Sequence, residues 1–204
     1  MPIAPKMQQH RCTILDIRAS HGGGKSWLVH RMLQEYGNEP ILDGKTVLGH
    51  KMPKINGVAV GPYTKVCGGC DAINLVEEAS RRVILWSQQF ITGIIVFEGI
   101  RVAHTFQRYH DLAHRLESEG HKYKFLFLDT PLEVCIERVK ARRLARGNEK
   151  PLDPKNIAKD YHNIWERVRG KCVVAGLDVT ILPWQNAWET MKRIVEQCQL
   201  HQKC

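Results

Sequence analysis

Eight residues of this 204-residue chain, Ala19-Ser20-His21-Gly22-Gly23-Gly24-Lys25-Ser26, have the types and spacing to hold a nucleotide's phosphates. Three consecutive glycines let the backbone curl so that successive N–H groups point inward. A helix starting directly after them adds partial positive charge where phosphate oxygens would lie. Lys25 would reach the β- and γ-phosphates, and the Ser26 hydroxyl would serve Mg²⁺, which keeps several waters and takes few protein ligands. His21, Gly22, Gly23, Gly24, Lys25, Ser26 and Trp27 are therefore the expected nucleotide contacts, with ATP and Mg²⁺ as the expected ligands. The stricter spacing G-x-x-x-x-G-K-S/T is met except at its first position, where Ala19 stands; a small residue is tolerated there if its φ stays negative.

Phosphoryl transfer asks for phosphates held, a nucleophile aligned and developing charge neutralised. Arg138, Arg142 and Arg146 recur every four residues, one face of a helix, with Arg143 beside them. They are read as a lid over about residues 138–153, whose guanidinium groups reach the transferring group, with Arg138 and Arg142 catalytic and Arg142 and Arg146 on the nucleotide. The bland alternative is a solvated basic face. Glu98 ends the apolar run Ile94-Ile95-Val96-Phe97, where a carboxylate would hold Mg²⁺ through water or take the acceptor's proton. Asp71 follows Cys67-Gly68-Gly69-Cys70 at a helix start, either as its N-cap or as acceptor ligand and general base. Gly68 and Gly69 permit close approach of a flat ligand to the backbone. The single C-x-x-C is weak evidence for zinc.

These groups need elements to carry them. Cys12–Ile17 reads as a buried strand and residues 24–36 as an amphipathic helix that ends at Gly37-Asn38-Glu39-Pro40. Extended segments are expected at 46–49 and 58–61, and a long helix at about 72–90. Further strands are expected at 94–97, 123–128 and 179–182, and further helices at about 105–119, through Arg138 to Arg146, at 155–169 and at 187–198. Strands alternating with helices imply an α/β domain around a parallel sheet of about five strands, with ligands at the strands' carboxyl ends. The loop after the first strand, Glu98 and Asp129 would face that one crevice.

Length and a hydrophobic content of 43% suit a single domain over 1–204. No stretch approaches the roughly 20 apolar residues of a membrane span, and Met1 to His10 lacks the apolar core of a secretory signal. The expectation is a cytoplasmic protein, its seven cysteines reduced thiols. A formal charge of +9 is high for an enzyme whose one anionic ligand is ATP and suggests a larger polyanion. Residues 44–70 carry Lys45, Lys51, Lys54 and Lys65 without an acidic residue. This stretch, continued to Asp71, is the expected acceptor side, with Lys51, Lys54, Lys65 and a stacking Tyr63 in contact with substrate.

Taken together the motifs resemble the P-loop kinases of nucleosides and nucleotides, with Leu128-Asp129-Thr130-Pro131 leading into the arginine lid. More narrowly, Val47-Leu48-Gly49, Gly61-Pro62-Tyr63, Cys67-Gly-Gly-Cys70-Asp71 and Glu133 to Arg143 look like the phage-encoded kinases that phosphorylate 5-hydroxymethyluracil within DNA. The resemblance implies a three-layer kinase domain acting on a polymerised base. It also implies a 5-phosphomethyl product that later enzymes elaborate into hypermodified thymidines, in the host cytoplasm. Ala19 leaves the donor preference open. A base inside a duplex cannot present its 5-substituent to a buried γ-phosphate, so extrusion or strand opening goes with this reading. The alternatives are a kinase of free nucleosides or nucleoside monophosphates and a non-catalytic, nucleotide-gated DNA-binding module, which would have no use for an arginine lid.

Overall fold

The computed structural model describes residues 12–202 apart from 66, 91, 92 and 149; the expectation for Met1 to His10 lies outside them. Seven strands form one sheet: β1 (Thr13–Arg18), β2 (Glu39–Asp43), β3 (Thr46–Met52), β4 (Gly57–Val60), β5 (Ile94–Glu98), β6 (Lys122–Leu128) and β7 (Val179–Leu182). Their order is β2-β3-β4-β5-β1-β6-β7. The five strands from β4 to β7 run parallel, while β3 pairs antiparallel with both β2 and β4. The expected five parallel strands thus gain an antiparallel ribbon at one edge. Glu39 and Pro40, read as part of a helix-ending turn, open β2; proline is tolerated there because β2 is an edge strand.

Alternation along β1 divides the core. Leu15 and Ile17 face α1 (Lys25–Tyr36) and α8 (Ala187–Gln202), where Leu28, Met32, Met191 and Val195 pack. Cys12 and Ile14 face the opposite layer of α2 (Val76–Gln89), α4 (Gln107–Ser118) and a helix that begins as α6 (Lys155–His162). That helix passes through a π-helical turn at Asn163–Val168 and ends as α7 (Arg169–Val174), so it is longer than the expected 155–169. Asp16 and Arg18 share the face of Ile14, and the fully buried guanidinium donates to Asp16 Oδ2 at 2.7 Å. Tyr123 donates to the same oxygen at 3.0 Å, and Arg18 also reaches the Thr105 carbonyl.

One expected helix is shortened: the segment read as 72–90 is a 3₁₀ turn at Gly69–Ala72 followed by α2. The one read as 105–119 is α4, preceded by a separate short α3 (Ile100–His104). The remaining helix, α5 (Leu132–Leu144), carries Arg138, Arg142 and Arg143; Arg146, expected on the same helix, lies in the turn after it. Among the described residues no helix is long and apolar enough to cross a membrane. None of the six described cysteines forms a disulfide.

Candidate active site

β1 lies between β5 and β6, so chain connections leave it in opposite directions and a crevice opens at its carboxyl end. The glycine loop fills that position. Gly22 has φ +77°, and a Cβ there would collide with the Cys135 carbonyl; only glycine lets α5 approach the loop so closely. Thr130, at the end of β6, donates its hydroxyl to the Gly23 carbonyl at 2.8 Å, and Arg138 donates to the Gly22 carbonyl at 3.3 Å. Lys25 is buried, its Nζ donating to the carbonyls of Ala19 and Ser20 at 2.8 and 3.2 Å. Burial holds its pKa below the usual lysine value, against the opposing pull of Glu98 and Asp71.

Ser26 donates to Glu98 Oε1 at 2.9 Å, which joins the first turn of α1 to the end of β5. Glu98 is fully buried, and its Oε2 has no hydrogen-bond partner among the described residues. Burial pushes its pKa up to about 7 and Asp71 adds to the rise, while Lys25 and the Ser26 hydroxyl work against it. Gly69, at φ +66°, has no room for a Cβ beside Glu98 Oε1 and the Tyr63 hydroxyl. A hydroxyl and an unsatisfied carboxylate beside a phosphate-shaped loop form a hard oxygen donor set, which fits Mg²⁺.

Asp71 does not cap its own helix. Its carboxylate accepts the Ile100 N–H at 2.8 and 2.9 Å and the Arg101 N–H at 3.4 Å, across the space from the 3₁₀ turn to the start of α3. Arg101 answers by donating to the carbonyls of Asp71, Ile73 and Asn74. The side chain of Asp71 is therefore fixed at the rim, exposed, while Glu98 lies beneath it.

The cleft, of about 580 Å³, brings together most of the expected residues: His21 to Trp27, Asp71, Glu98, Arg138, Arg142 and Arg146. Trp27 is 54% exposed at its mouth. Arg142 and Arg146 both point to the Cys67 sulfur, at 3.0 and 3.8 Å, so the acceptor-side loop and α5 meet there. Arg143 is turned away to Asn148 and the Lys150 carbonyl.

Other expectations are displaced. Tyr63 is 5% exposed, with His30 and His50 against its ring, so it offers no open face for stacking. Lys51 pairs with Val58, which pairs with Ile95 near the amino end of β5, and Lys54 donates to the Glu35 carbonyl at the last turn of α1. Both lysines thus sit at the end of the sheet opposite the glycine loop, roughly a helix length (~15 Å) away. Lys65 is exposed on the loop after β4, where its carbonyl meets His30. Gly68 is packed with no room for a Cβ against the Pro62 carbonyl. Asp129 accepts the Trp184 N–H at 2.6 Å instead of facing the crevice, and the Trp184 ring lies 5.2 Å from the Arg138 guanidinium. Cys67 and Arg101, which line the cleft, and Thr130, Trp184 and Asp160 around it, were not singled out for these positions by the sequence. Only Arg101 carried a signal, as a cation directly after the Glu98-Gly99 strand end.

The chain matches the family model described as "5-hmdU DNA kinase" over residues 2–176. It is 28% identical over 192 residues to the 5-hmdU DNA kinase of Pseudomonas phage PaMx11, covering 90% of this chain and 97% of that protein. It is 26% identical to that of Pseudomonas phage M6, covering 89% and 97%. To the 5-hmdU DNA kinase of Bacillus phage SP10 it is 33% identical over 138 residues, covering 63% of this chain and 21% of that protein. Among solved structures it is similar to polyphosphate kinase 2 from Arthrobacter aurescens TC1, with a TM-score of 0.45, 13% identity, and coverage of 94% and 67%.

Proposed function

The chain belongs to the 5-hmdU DNA kinase family, and from that premise we propose that it transfers the γ-phosphoryl group of ATP to the hydroxymethyl oxygen of 5-hydroxymethyluracil in DNA. The product is the 5-phosphomethyl base. The observation that carries the reading is the cleft itself, where Lys25 and Ser26 on the glycine loop face Glu98 and Asp71 within one continuous site.

In this reading residues 19–26 hold the phosphates, and Arg138, Arg142 and Arg146 neutralise charge on the transferring group from the 138–153 side. The acceptor oxygen attacks the γ-phosphorus, the bond to the β–γ bridging oxygen breaks, and ADP leaves. Asp71 takes the acceptor's proton, because it is exposed at the rim with its carboxylate aimed by two backbone N–H groups. Glu98 has no exposure to an acceptor hydroxyl and serves with Ser26 as the residue pair that would hold Mg²⁺. When bound, Mg²⁺ neutralises the β- and γ-phosphate oxygens. Gly68, Gly69 and Lys65 lie along the loop on which the acceptor would rest.

The test is transfer from labelled ATP, with Mg²⁺, to DNA containing 5-hydroxymethyluracil, to the same DNA with thymine, and to the free nucleoside. Label in the first alone is the expected result. Label in the free nucleoside alone makes the chain a small-substrate kinase. ATP binding with no label anywhere makes it a non-catalytic module.

A further inference from the structure

A line of four polar side chains leads from the glycine loop into the helical layer behind it. Asn163 Nδ2 lies 2.8 Å from His104 Nδ1, His104 Nε2 lies 3.1 Å from Asp160 Oδ1, and His21 Nε2 lies 3.4 Å from Asp160 Oδ2. Donors and acceptors resolve in one way. The Asn163 amide donates to His104 Nδ1, so His104 carries its proton on Nε2, which faces Asp160 as a close polar contact. The second oxygen of Asp160 then takes the Nε2 side of His21. No hydrogen bond to the described residues engages His21 Nδ1, and His21 lines the cleft.

Two further features hold this line in place. Ser20 donates to the Ile157 carbonyl at 3.3 Å, so α6 is fastened to the loop at adjacent loop residues. Asn163 opens the π-helical turn, and such turns accompany functional sites more often than regular helix does.

We propose that Asp160, backed by His104 and Asn163, is a positioning residue that makes His21 a proton-dependent ligand for the nucleotide's phosphates. This rests on the reading of the loop as the ATP site. Charged groups face His21 from every side: Lys25 from α1, Arg142 from α5, Asp71 from the 3₁₀ turn and Asp160 from α6. Burial, followed by Lys25, holds its pKa below the usual histidine value, so the imidazole is neutral near pH 7 before nucleotide arrives. Phosphate charge at Nδ1 reverses that balance. One proton from solvent adds to the ring; Nδ1–H then donates to a phosphate oxygen while Nε2–H donates to Asp160. ATP binding and proton uptake are thereby coupled, and affinity falls as pH rises.

Calorimetric titration of the full chain with Mg-ATP, in buffers of different ionisation enthalpy at pH 7, measures that uptake. The parent is expected to take up a measurable fraction of a proton, with Kd weakening about 3- to 10-fold from pH 6 to pH 8. H21Q is expected to take up none of it and to lose the pH dependence. D160N, which keeps the side chain's shape and loses its charge, is expected to show reduced uptake and a flatter profile. H162Q, at an exposed histidine of α6 that does not line the cleft, is the control and is expected to retain the uptake seen in the parent. An H21Q protein that takes up protons like the parent overturns the proposal, whether or not D160N folds. Glu98 would give up its own proton to bound Mg²⁺ in both proteins, so the share of His21 is the difference between parent and H21Q; Mg-ATP binding with no such difference leaves the loop assignment standing and removes the proposal. A parent that binds no Mg-ATP at all overturns both.

Discussion

Glu98 is a carboxyl that the fold holds out of water, and its titration near 7 has opposite signs for stability and for charge at the site. Its folded-state pKa lies above the ordinary 4.5, so between those values the folded protein binds more protons than the unfolded chain. Stability therefore falls as pH rises through that window, by up to about 3 kcal/mol in nucleotide-free protein. E98Q should remove this dependence. Thermal melts at pH 5 and pH 8 are expected to show a higher Tm for the variant than for the parent at pH 8, with the difference vanishing at pH 5. Asp71 is the contrasting case, a carboxylate set by backbone N–H groups at an exposed rim. D71N keeps an acceptor for the Ile100 N–H and loses the base, so single-turnover transfer to DNA should slow by about 10²–10⁴-fold while Mg-ATP affinity holds. A lowered Tm with an unchanged rate would make Asp71 a purely structural clamp. Both residues stood out in the sequence by chain position, after a strand and after paired glycines. Which of them is buried was not legible, because that depends on Gly69 folding over Glu98 from 29 residues away.

At the scale of elements, the breaks between helices carry more of the site than the helices do. Ile73, Val76, Ala79 and Val83 fit a helical period, and the sequence reads one helix from 72 to 90. The first turn of that helix does not form because the carbonyls of Asp71, Ile73 and Asn74 go to the Arg101 guanidinium, a partner a local pattern cannot supply. The break before α4 has a similar origin, with the Thr105 carbonyl taken by buried Arg18. By contrast β1, the glycine loop and α1 were legible because strand, turn and helix signals are all contained in the 24 consecutive residues 13–36. R101A tests whether the clamp matters. Releasing residues 71–74 should raise KM for DNA and lower kcat, each by about tenfold, and leave Mg-ATP Kd near its parent value. Equal losses in Kd for both ligands would show a general loss of fold instead.

For the molecule as a whole, charge is distributed differently from its distribution along the chain. Residues 44–70 are uniformly basic in sequence, yet the β3–β4 hairpin carries Lys51 and Lys54 to the far end of the sheet and leaves Lys65 near the cleft. A strand reversal is what separates them, and the sequence reads 46–49 and 58–61 only as extended segments, without a direction. The K51E/K54E double variant should bind and phosphorylate DNA like the parent across a salt series. K65E should lower the slope of log affinity against log salt by about 0.9, the increment that one neutralised duplex phosphate supplies. Parent-like slopes for K65E together with a reduced slope for the double variant would put the DNA on the opposite end of the sheet. The π-helical turn gives the molecule a different kind of latitude. Asp160 lies before it and Cys172 after it, so one extra residue is taken up between the half that carries Asp160 and the half that packs in the core. The wider turn winds each residue through less than the roughly 100° of an α-helix, so removing a single residue there, such as exposed Arg167, would restore a regular helix with both halves near their present phase. Cys172 would keep its place in the core. Around Gly147, where a Cβ meets nothing within 4 Å, the chain should accept a gain or loss of one residue, and 163–168 should accept a loss; one residue fewer at Gly170, in regular helix ahead of Cys172, would turn that side chain by about 100° and is expected to abolish cooperative melting.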